Sequence, residues 1–365
     1  MPTPYEIVEE VRAFKEPWEQ RFSLPWFEDR TAGSVWRHKL VHLVAQLPDG
    51  LFEDVVGLML DEPSFAIRGV ALHIARMRGA KVFADKAAAL LDDASVNVRA
   101  LAAAAIGQFG DDAGVEALLE TKDGENVEVK KAVVDAFKRL RDVRCIPLMA
   151  RWAGRVGEDD RLRRAACETL GAIADDAAMP VLQRVLFDDV VADDIRGEAA
   201  RAIGLIGGAE ARGFLLQALG SDRPWVRAKA IEGLALLRDA GVMTTVLPYL
   251  APTHPWMVRL AAIEAAARTG GAASLEHLAP LLEDREIQIR GMACVALGLV
   301  GNVAAQKKLK RALEDKERVV RAQALEALAR ASGRDFGFKV EQHVSALDAK
   351  ALDAAIKAAM AWEPA

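Results

Sequence analysis

The sequence predicts an all-α chain, an α-solenoid of about ten helical hairpins, and three observations carry that prediction. A basic anchor recurs at Arg37, Arg68, Arg99, Lys130, Arg163, Arg196, Arg227, Arg259, Arg290 and Arg321, at intervals of 31, 31, 31, 33, 33, 31, 32, 31 and 31 residues. The position before the anchor is apolar from Ile67 to Val320, and an Ala stands three residues after it at Ala71, Ala102, Ala166, Ala199, Ala230, Ala262, Ala293 and Ala324. Within a period, apolar residues fall at helical spacing twice, as in Val98, Leu101, Ala102, Ala105 and Ile106 and then Val115, Leu118 and Leu119. A hairpin this short buries its apolar face only by stacking on its neighbours.

Residues 1–30 stand outside the repeat and carry Trp18, Phe22, Trp26 and Phe27. They read as an N-terminal capping segment that covers the unpaired end of the stack, with a docking surface formed by the same aromatics as the alternative. Residues 31–331 form the repeat array. The stretch Asp92–Gly110 shows its plan: an acidic turn, a Val-Arg pair, an Ala-rich helix and a closing Gly. Gly107, Gly110, Gly171, Gly204, Gly207, Gly298 and Gly301 are expected to close second helices in a left-handed conformation. Asp111, Asp112, Asp175 and Asp176 then suit the N-termini of the following helices. Pro147 and Pro180 fall near the starts of first helices, whereas Pro248 and Pro280 fall later and should bend theirs. Residues 332–365 read as C-terminal capping helices, with Ser345 and Asp348 starting a last helix and Phe336, Phe338, Leu352, Ile356 and Trp362 sealing the core.

The order of acidic turn, V-R-x-x-A-A-x-A-L-G resembles HEAT repeats, in particular the short HEAT-like type named after phycobilisome lyases, over roughly residues 31–331. The resemblance implies a single right-handed α-solenoid (α–α superhelix) with no β-sheet and no internal domain boundary. It also implies that each anchor pairs with an acidic turn of its own or a neighbouring repeat, with Asp61, Asp92, Asp123, Asp189, Asp284 and Asp315 in position to do so. Lys130 keeps the charge without the planar fork, and the Arg259 unit lacks an acid at that spacing.

Composition narrows the function. The apolar content is 52%, the aromatic content only 6% and the formal charge −5, so the core is built from small aliphatic residues. A general nucleic-acid surface, which needs an excess of Lys and Arg, is not expected. Cys145, Cys167 and Cys294 form an odd, widely spaced set and read as buried free thiols in a reducing compartment. The acidic, Pro-broken N-terminus has no signal-peptide core, and no stretch approaches the roughly 20 apolar residues of a membrane span. These features place the protein in the cytoplasm, off the membrane.

No catalytic chemistry is expected. None of the six His precedes a Glu, which removes H-E-x-x-H zinc sites and any resemblance to HEAT-repeat di-iron hydroxylases, and neither a phosphate loop nor a G-x-S-x-G elbow occurs. His38, His42 and His73 share a register that would let them converge on a metal, but no Cys or carboxylate completes the set, and a solvent-facing or hydrogen-bonded role is the simpler one. No cofactor is expected.

In HEAT-like arrays the second helix lines the concave face. The freely varying positions around the anchors place Asp160, Asp193, Asp194, Glu198, Glu232 and Glu264 there, with Trp225, Trp256 and Met257 beside them and Phe65 and His73 towards the first end. The three aspartates also suit helix N-terminal charge, and the two Trp also suit packing over the adjacent repeat. The expected function is a non-enzymatic protein–protein interaction scaffold or adaptor that binds a basic partner segment with apolar anchors on this face. The resemblance also allows a chromophore (bilin) lyase subunit or chaperone. A HEAT-like DNA glycosylase fits less well because that type uses a basic concave face.

Overall fold

A computed structural model describes residues 3–13, 41–42, 44–237, 239, 241–338 and 349–364. Among these every regular element is helical and no strand is present. The aromatic cluster Trp18, Phe22, Trp26 and Phe27, together with Arg37, His38, Ser345 and Asp348, lies outside the described residues. The uninterrupted register predicts one array, yet the chain divides into two compact units, Met1–Ala178 and Met179–Ala365. The division falls inside the Arg163-to-Arg196 period, one of the two lengthened to 33 residues.

In the first unit, α1 (Pro4–Ala13) packs on α2 (Asp49–Leu60) through Ile7, Val8 and Val11, and Arg12 Nε donates to Glu62 Oε2 at 3.0 Å. The second helices α3 (Phe65–Arg78), α5 (Val96–Phe109), α7 (Val127–Leu140) and α9 (Asp160–Ile173) then stack on one another in order. The shorter first helices are α4 (Ala84–Ala89), α6 (Asp112–Leu119) and α8 (Ile146–Gly154). The second unit repeats the plan. Second helices α11 (Asp193–Ile206), α13 (Pro224–Leu236), α15 (Trp256–Gly270), α17 (Ile287–Val300) and α19 (Arg318–Ser332) stack in one layer. First helices α10 (Met179–Phe187), α12 (Gly208–Ala218), α14 (Gly241–Val246), α16 (Leu275–Leu278) and α18 (Val303–Ala312) cover it, and α20 (Ala349–Ala361) packs on α19 with Leu352 buried.

The core follows the sequence pattern: Val98, Leu101, Ala102, Ala105 and Ile106 are all buried, and so are the free thiols of Cys145, Cys167 and Cys294. Helix starts use the expected oxygen acceptors, with Asp111 taking the Gly114 N–H at 2.9 Å and Asn302 that of Ala305 at 2.8 Å. Pro248 and Pro280 do more than bend their helices. Each lies in a 3-10 stretch, Leu247–Leu250 and Ala279–Glu283, that ends α14 and α16 early, because proline supplies no N–H to the α ladder.

The glycines divide into two kinds. Gly110 and Gly301 end their helices in the left-handed conformation, as expected, and Gly207 ends its helix at positive φ but with ψ of −162°, outside that conformation, whereas Gly107, Gly204 and Gly298 lie inside theirs and serve close packing. A Cβ on Gly204 would stand 2.4 Å from the carbonyl oxygen of Gly233 on the next second helix, and one on Gly107 would stand 2.7 Å from Ala136 Cα. Gly171 is likewise buried inside α9. Helices α7 and α9 close without glycine, on Arg141 and Ala174 at φ of 53° and 59°.

The anchors form the expected ladder, and at Arg68, Arg99, Lys130, Arg259 and Arg290 its dominant rung joins the anchor to the following hairpin. Arg68 Nε and Nη2 donate to Asp93 at 2.7 and 3.0 Å, Arg99 grips Glu125 in the same way at 3.1 and 2.8 Å, and Lys130 reaches Glu158 at 2.8 Å. In the second unit Arg259 holds Asp284 and Arg290 holds Asp315 at 2.7 and 3.1 Å. Asp284 and Asp315 are therefore ladder acids of the preceding anchor. Asp61 and Asp123 are not ladder acids, since they pair with Lys86 and with Arg151 and Arg155. Arg196 pairs within its own hairpin, with Asp189 at 3.0 Å.

Candidate functional site

Trp225 and Trp256 open α13 and α15, preceded by Pro224 at the first turn and Pro255 at the N-cap. Both tryptophans remain exposed, at 39% and 49%. They are not equivalent: Trp225 stands two residues before its anchor and Trp256 three. The Trp225 ring lies over α11 at Gly197, where an added Cβ would come within 3.0 Å of Trp225 Cδ1 and Nε1, and Lys229 Nζ sits 5.2 Å from the ring centre. Trp225 thus packs on the adjacent repeat and still offers an open face. Met257 is half-buried beside Trp256.

The three glutamates lie on successive second helices, as predicted, and each already holds a cation of its own helix. Glu198 accepts from Arg201 at 2.6 Å, Glu232 from Lys229 at 2.7 Å and Glu264 from Arg268 at 2.8 Å. The physical reason is spacing, since residues three and four apart share one side of a helix. The predicted acidic surface is consequently charge-balanced in this stretch. Arg201, Glu232, Leu236, Glu264 and Arg268 converge on a cavity of about 190 Å³ between α11, α13 and α15. Arg268 is not among the residues expected on this face, although its place four residues after Glu264 signals it.

Asp193 and Asp194 occupy the first turn of α11, where the helix dipole favours them, and Arg223 Nε lies 3.9 Å from Asp193. Asp160 belongs to the first unit, exposed in the first turn of α9 and 3.7 Å from Arg163. Phe65 opens α3 half-buried, and Met77 at the other end of that helix is exposed. Burial, reinforced by the charge of Arg76, pushes the pKa of His73 down to about 4 and keeps its imidazole neutral near pH 7. His42 Nε2 lies 2.6 Å from Gln46 Nε2, and His38 lies outside the described residues.

A second cavity, about 350 Å³, sits on the second helices of the first unit and is lined by Arg76, Asp135, Lys138 and Arg139 among alanines. Lys138 reaches Glu168 at 2.5 Å and Arg139 donates to Gln108 at 2.6 Å. An acidic face is not found here. The sequence signal was available, because Arg76, Lys138 and Arg139 stand eight and nine residues after their anchors, the outward positions of the second helix.

Burial raises the thiol pKa of Cys145 and Cys294 to about 12, which suits packing and not nucleophilic chemistry. Among the described residues no group of three His, Cys, Asp or Glu side chains is arranged to hold a metal ion, and no helix is long and apolar enough to cross a membrane.

Comparison with known proteins gives a family. HEAT repeats match in overlapping segments from residue 115 to residue 329, more than half of the chain, and the PBS lyase HEAT-like repeat matches residues 98–124. No curated protein sequence matches significantly. Among solved structures, importin beta is 13% identical over 81% of this chain and 48% of its own, with a TM-score of 0.57. The karyopherin Kap121p bound to the SUMO protease Ulp1p is 15% identical over 83% of this chain and 40% of its own, with a TM-score of 0.51. The chain thus spans less than half the length of these karyopherins, and the likeness is one of fold. Human deoxyhypusine hydroxylase in complex with glycerol is 19% identical over 71% of this chain and 99% of its own, with a TM-score of 0.32, too low to carry an argument.

Proposed function

Because the chain belongs to the HEAT-repeat family, we propose that it is a non-enzymatic interaction scaffold that holds a segment of a partner protein along the second-helix layer of its second unit. The observation that carries this reading is the pair of exposed indoles, Trp225 and Trp256, at the starts of successive second helices. Tryptophan supplies a large, stiff contact area, and interfaces concentrate their energy on such residues. The partner segment carries apolar anchors for the two indoles and basic side chains for Glu232 and Glu264. Those glutamates are bound only to partly exposed cations, pairs worth about 0–1 kcal/mol, so an incoming Lys or Arg displaces them at small cost. Charge then sets register and the indoles set affinity. Asp193, Asp194 and Glu198 extend the same layer towards α11. Residues 1–30 and 332–365 serve as end caps, and the three buried thiols suit a cytoplasmic setting.

The test compares Trp225→Ala and Trp256→Ala in affinity capture from native lysate and in melting. Trp256→Ala should weaken a captured partner by about 2 kcal/mol and leave melting nearly unchanged. Trp225→Ala should weaken binding similarly and also lower stability, since it uncovers Gly197. Destabilisation by both with undiminished capture would refute the reading. The match of residues 98–124 to the lyase-type repeat supports a second reading, a bilin lyase subunit or chaperone, which visible absorbance of a copurified pigment would reveal.

A further inference from the structure

The ladder that holds the hairpins together changes at Arg196. Arg259 shows the complete arrangement in its own unit: Nε donates to the Leu250 carbonyl at 3.0 Å, and both terminal nitrogens grip Asp284, 25 positions further on. Arg68 and Arg290 also find their acids 25 positions on, at Asp93 and Asp315. Arg196 reproduces the first half, with Nε donating to the Leu186 carbonyl at 2.9 Å and the side chain almost wholly buried. Position 196 plus 25 is Ser221. The turn around it is the same, for Ser221 Oγ accepts the N–H of Arg223 at 3.2 Å, just as Asp93, Asp284 and Asp315 each accept the N–H two residues on. A hydroxyl therefore stands where the turns that follow Arg68, Arg259 and Arg290 present a carboxylate.

Around this joint lies a pocket of about 640 Å³, lined by Arg196 and Ser221 together with Phe187, Val226, Arg223 and Asp189. Among the described residues, Asp189 is the one carboxylate within ion-pair distance of Arg196, through Nη1, and it is solvated on the rim. Arg223 on the opposite rim is 3.6 Å from the similarly exposed Asp222. We propose that the Arg196 pocket binds an external carboxylate, which takes the place that a ladder aspartate fills beside Arg68, Arg259 and Arg290. A guanidinium fork matches a carboxylate in two parallel hydrogen bonds, and with Arg196 Nε fixed by the Leu186 carbonyl an incoming carboxylate need only displace the solvated Asp189 from Nη1. Phe187 and Val226 provide room for an apolar group beside it. The rim aspartates Asp189 and Asp222 weigh against a dianion such as phosphate, so a singly charged carboxylate fits best. The proposal rests on the ladder geometry and does not depend on the scaffold reading.

The experiment uses the full chain in calorimetric titration with isovalerate, a singly charged carboxylate with an apolar tail, and with an acetylated, amidated Leu-Asp-Leu tripeptide, each against its uncharged amide analogue. Saturable binding of the acid and none of the amide is expected, and the tighter of the two acids distinguishes a free carboxylate from one borne on a protein segment. Ser221→Asp should supply the carboxylate internally, weakening the acid at least tenfold and raising the melting temperature. Arg196→Lys, which keeps the charge and removes the fork, should weaken it by a similar factor. Failure of the wild type to bind either acid, or equal binding by Ser221→Asp, would overturn the proposal.

Discussion

Arg259 and Arg196 occupy the same ladder position at nearly the same burial, 1% and 5% exposed, so replacing each by Met isolates what the acid partner contributes. Removing Arg259 leaves Asp284, only 11% exposed, with the Glu286 N–H at 2.9 Å as its remaining close donor. Breaking a buried pair costs about 3–5 kcal/mol, and the retained N–H argues for the lower end, about 3. Removing Arg196 returns Asp189, already 89% exposed, to water and strips one donor from the Leu186 carbonyl, a loss of about 1 kcal/mol. The two variants should therefore differ by about 2 kcal/mol in urea denaturation followed by far-ultraviolet circular dichroism. Hydrogen exchange should place the weakening at α15 and α17 for the first variant.

The acid chemistry supplies an internal check. Burial alone would raise the Asp284 pKa, but the hydrogen bonds from Arg259 and the Glu286 N–H, with the charges of Arg259 and Arg290, outweigh it and hold it below the usual carboxylate range. A depressed carboxylate contributes stability above its unfolded pKa and loses it as pH falls through the folded one. Without Arg259 that contribution shrinks, and Asp284→Asn in the Arg259→Met background should recover part of the loss. Equal losses for the two Met variants, or a larger one for Arg196→Met, would refute the assignment of ladder strength to the buried acid.

Two further outcomes follow from packing and titration. Gly204→Ala drives a methyl into the Gly233 carbonyl of the neighbouring helix and should cost about 1–3 kcal/mol, readable as a lowered urea midpoint, whereas Gly213→Ala, with open space around it, should cost nothing measurable. His73 is protonated in the unfolded chain below its ordinary pKa of 6.5 but in the folded one only below about 4, so its contribution is fully present above 6.5 and disappears as pH falls towards 4. The difference corresponds to about 3 kcal/mol, and His73→Phe should flatten the stability profile between pH 6.5 and 5, where carboxylates are largely silent; an unchanged slope there would remove His73 from the account.

The helices, their register and the stacking of hairpins were legible in the sequence because each depends on local rules: apolar spacing along a helix, an acceptor before it, and a period too short to form a core alone. The ladder was legible as a pattern of Arg and Asp, and so was the row of Glu198, Glu232 and Glu264 on successive second helices. Which acid each anchor holds was not. Asp93 and Asp92 are neighbours in sequence, and only the turn that points Asp93 across to Arg68 selects one of them. Arg201 and Lys229 occupy outward positions legible in the sequence, but none of the three glutamate pairings was, because a list of outward positions carries no side-chain directions, whereas the folded helix brings residues three and four apart together. Gly204 and Gly110 read alike as helix-closing glycines. Only the distance to the next helix separates the one that permits close approach from the one that turns the chain. Periodicity thus determined which elements form and in what order they stack, while charge pairing between hairpins, close contacts between helices and the joint at Arg196 were decided by tertiary structure, since they depend on atoms about 25 residues apart in the chain and a few ångströms apart in space.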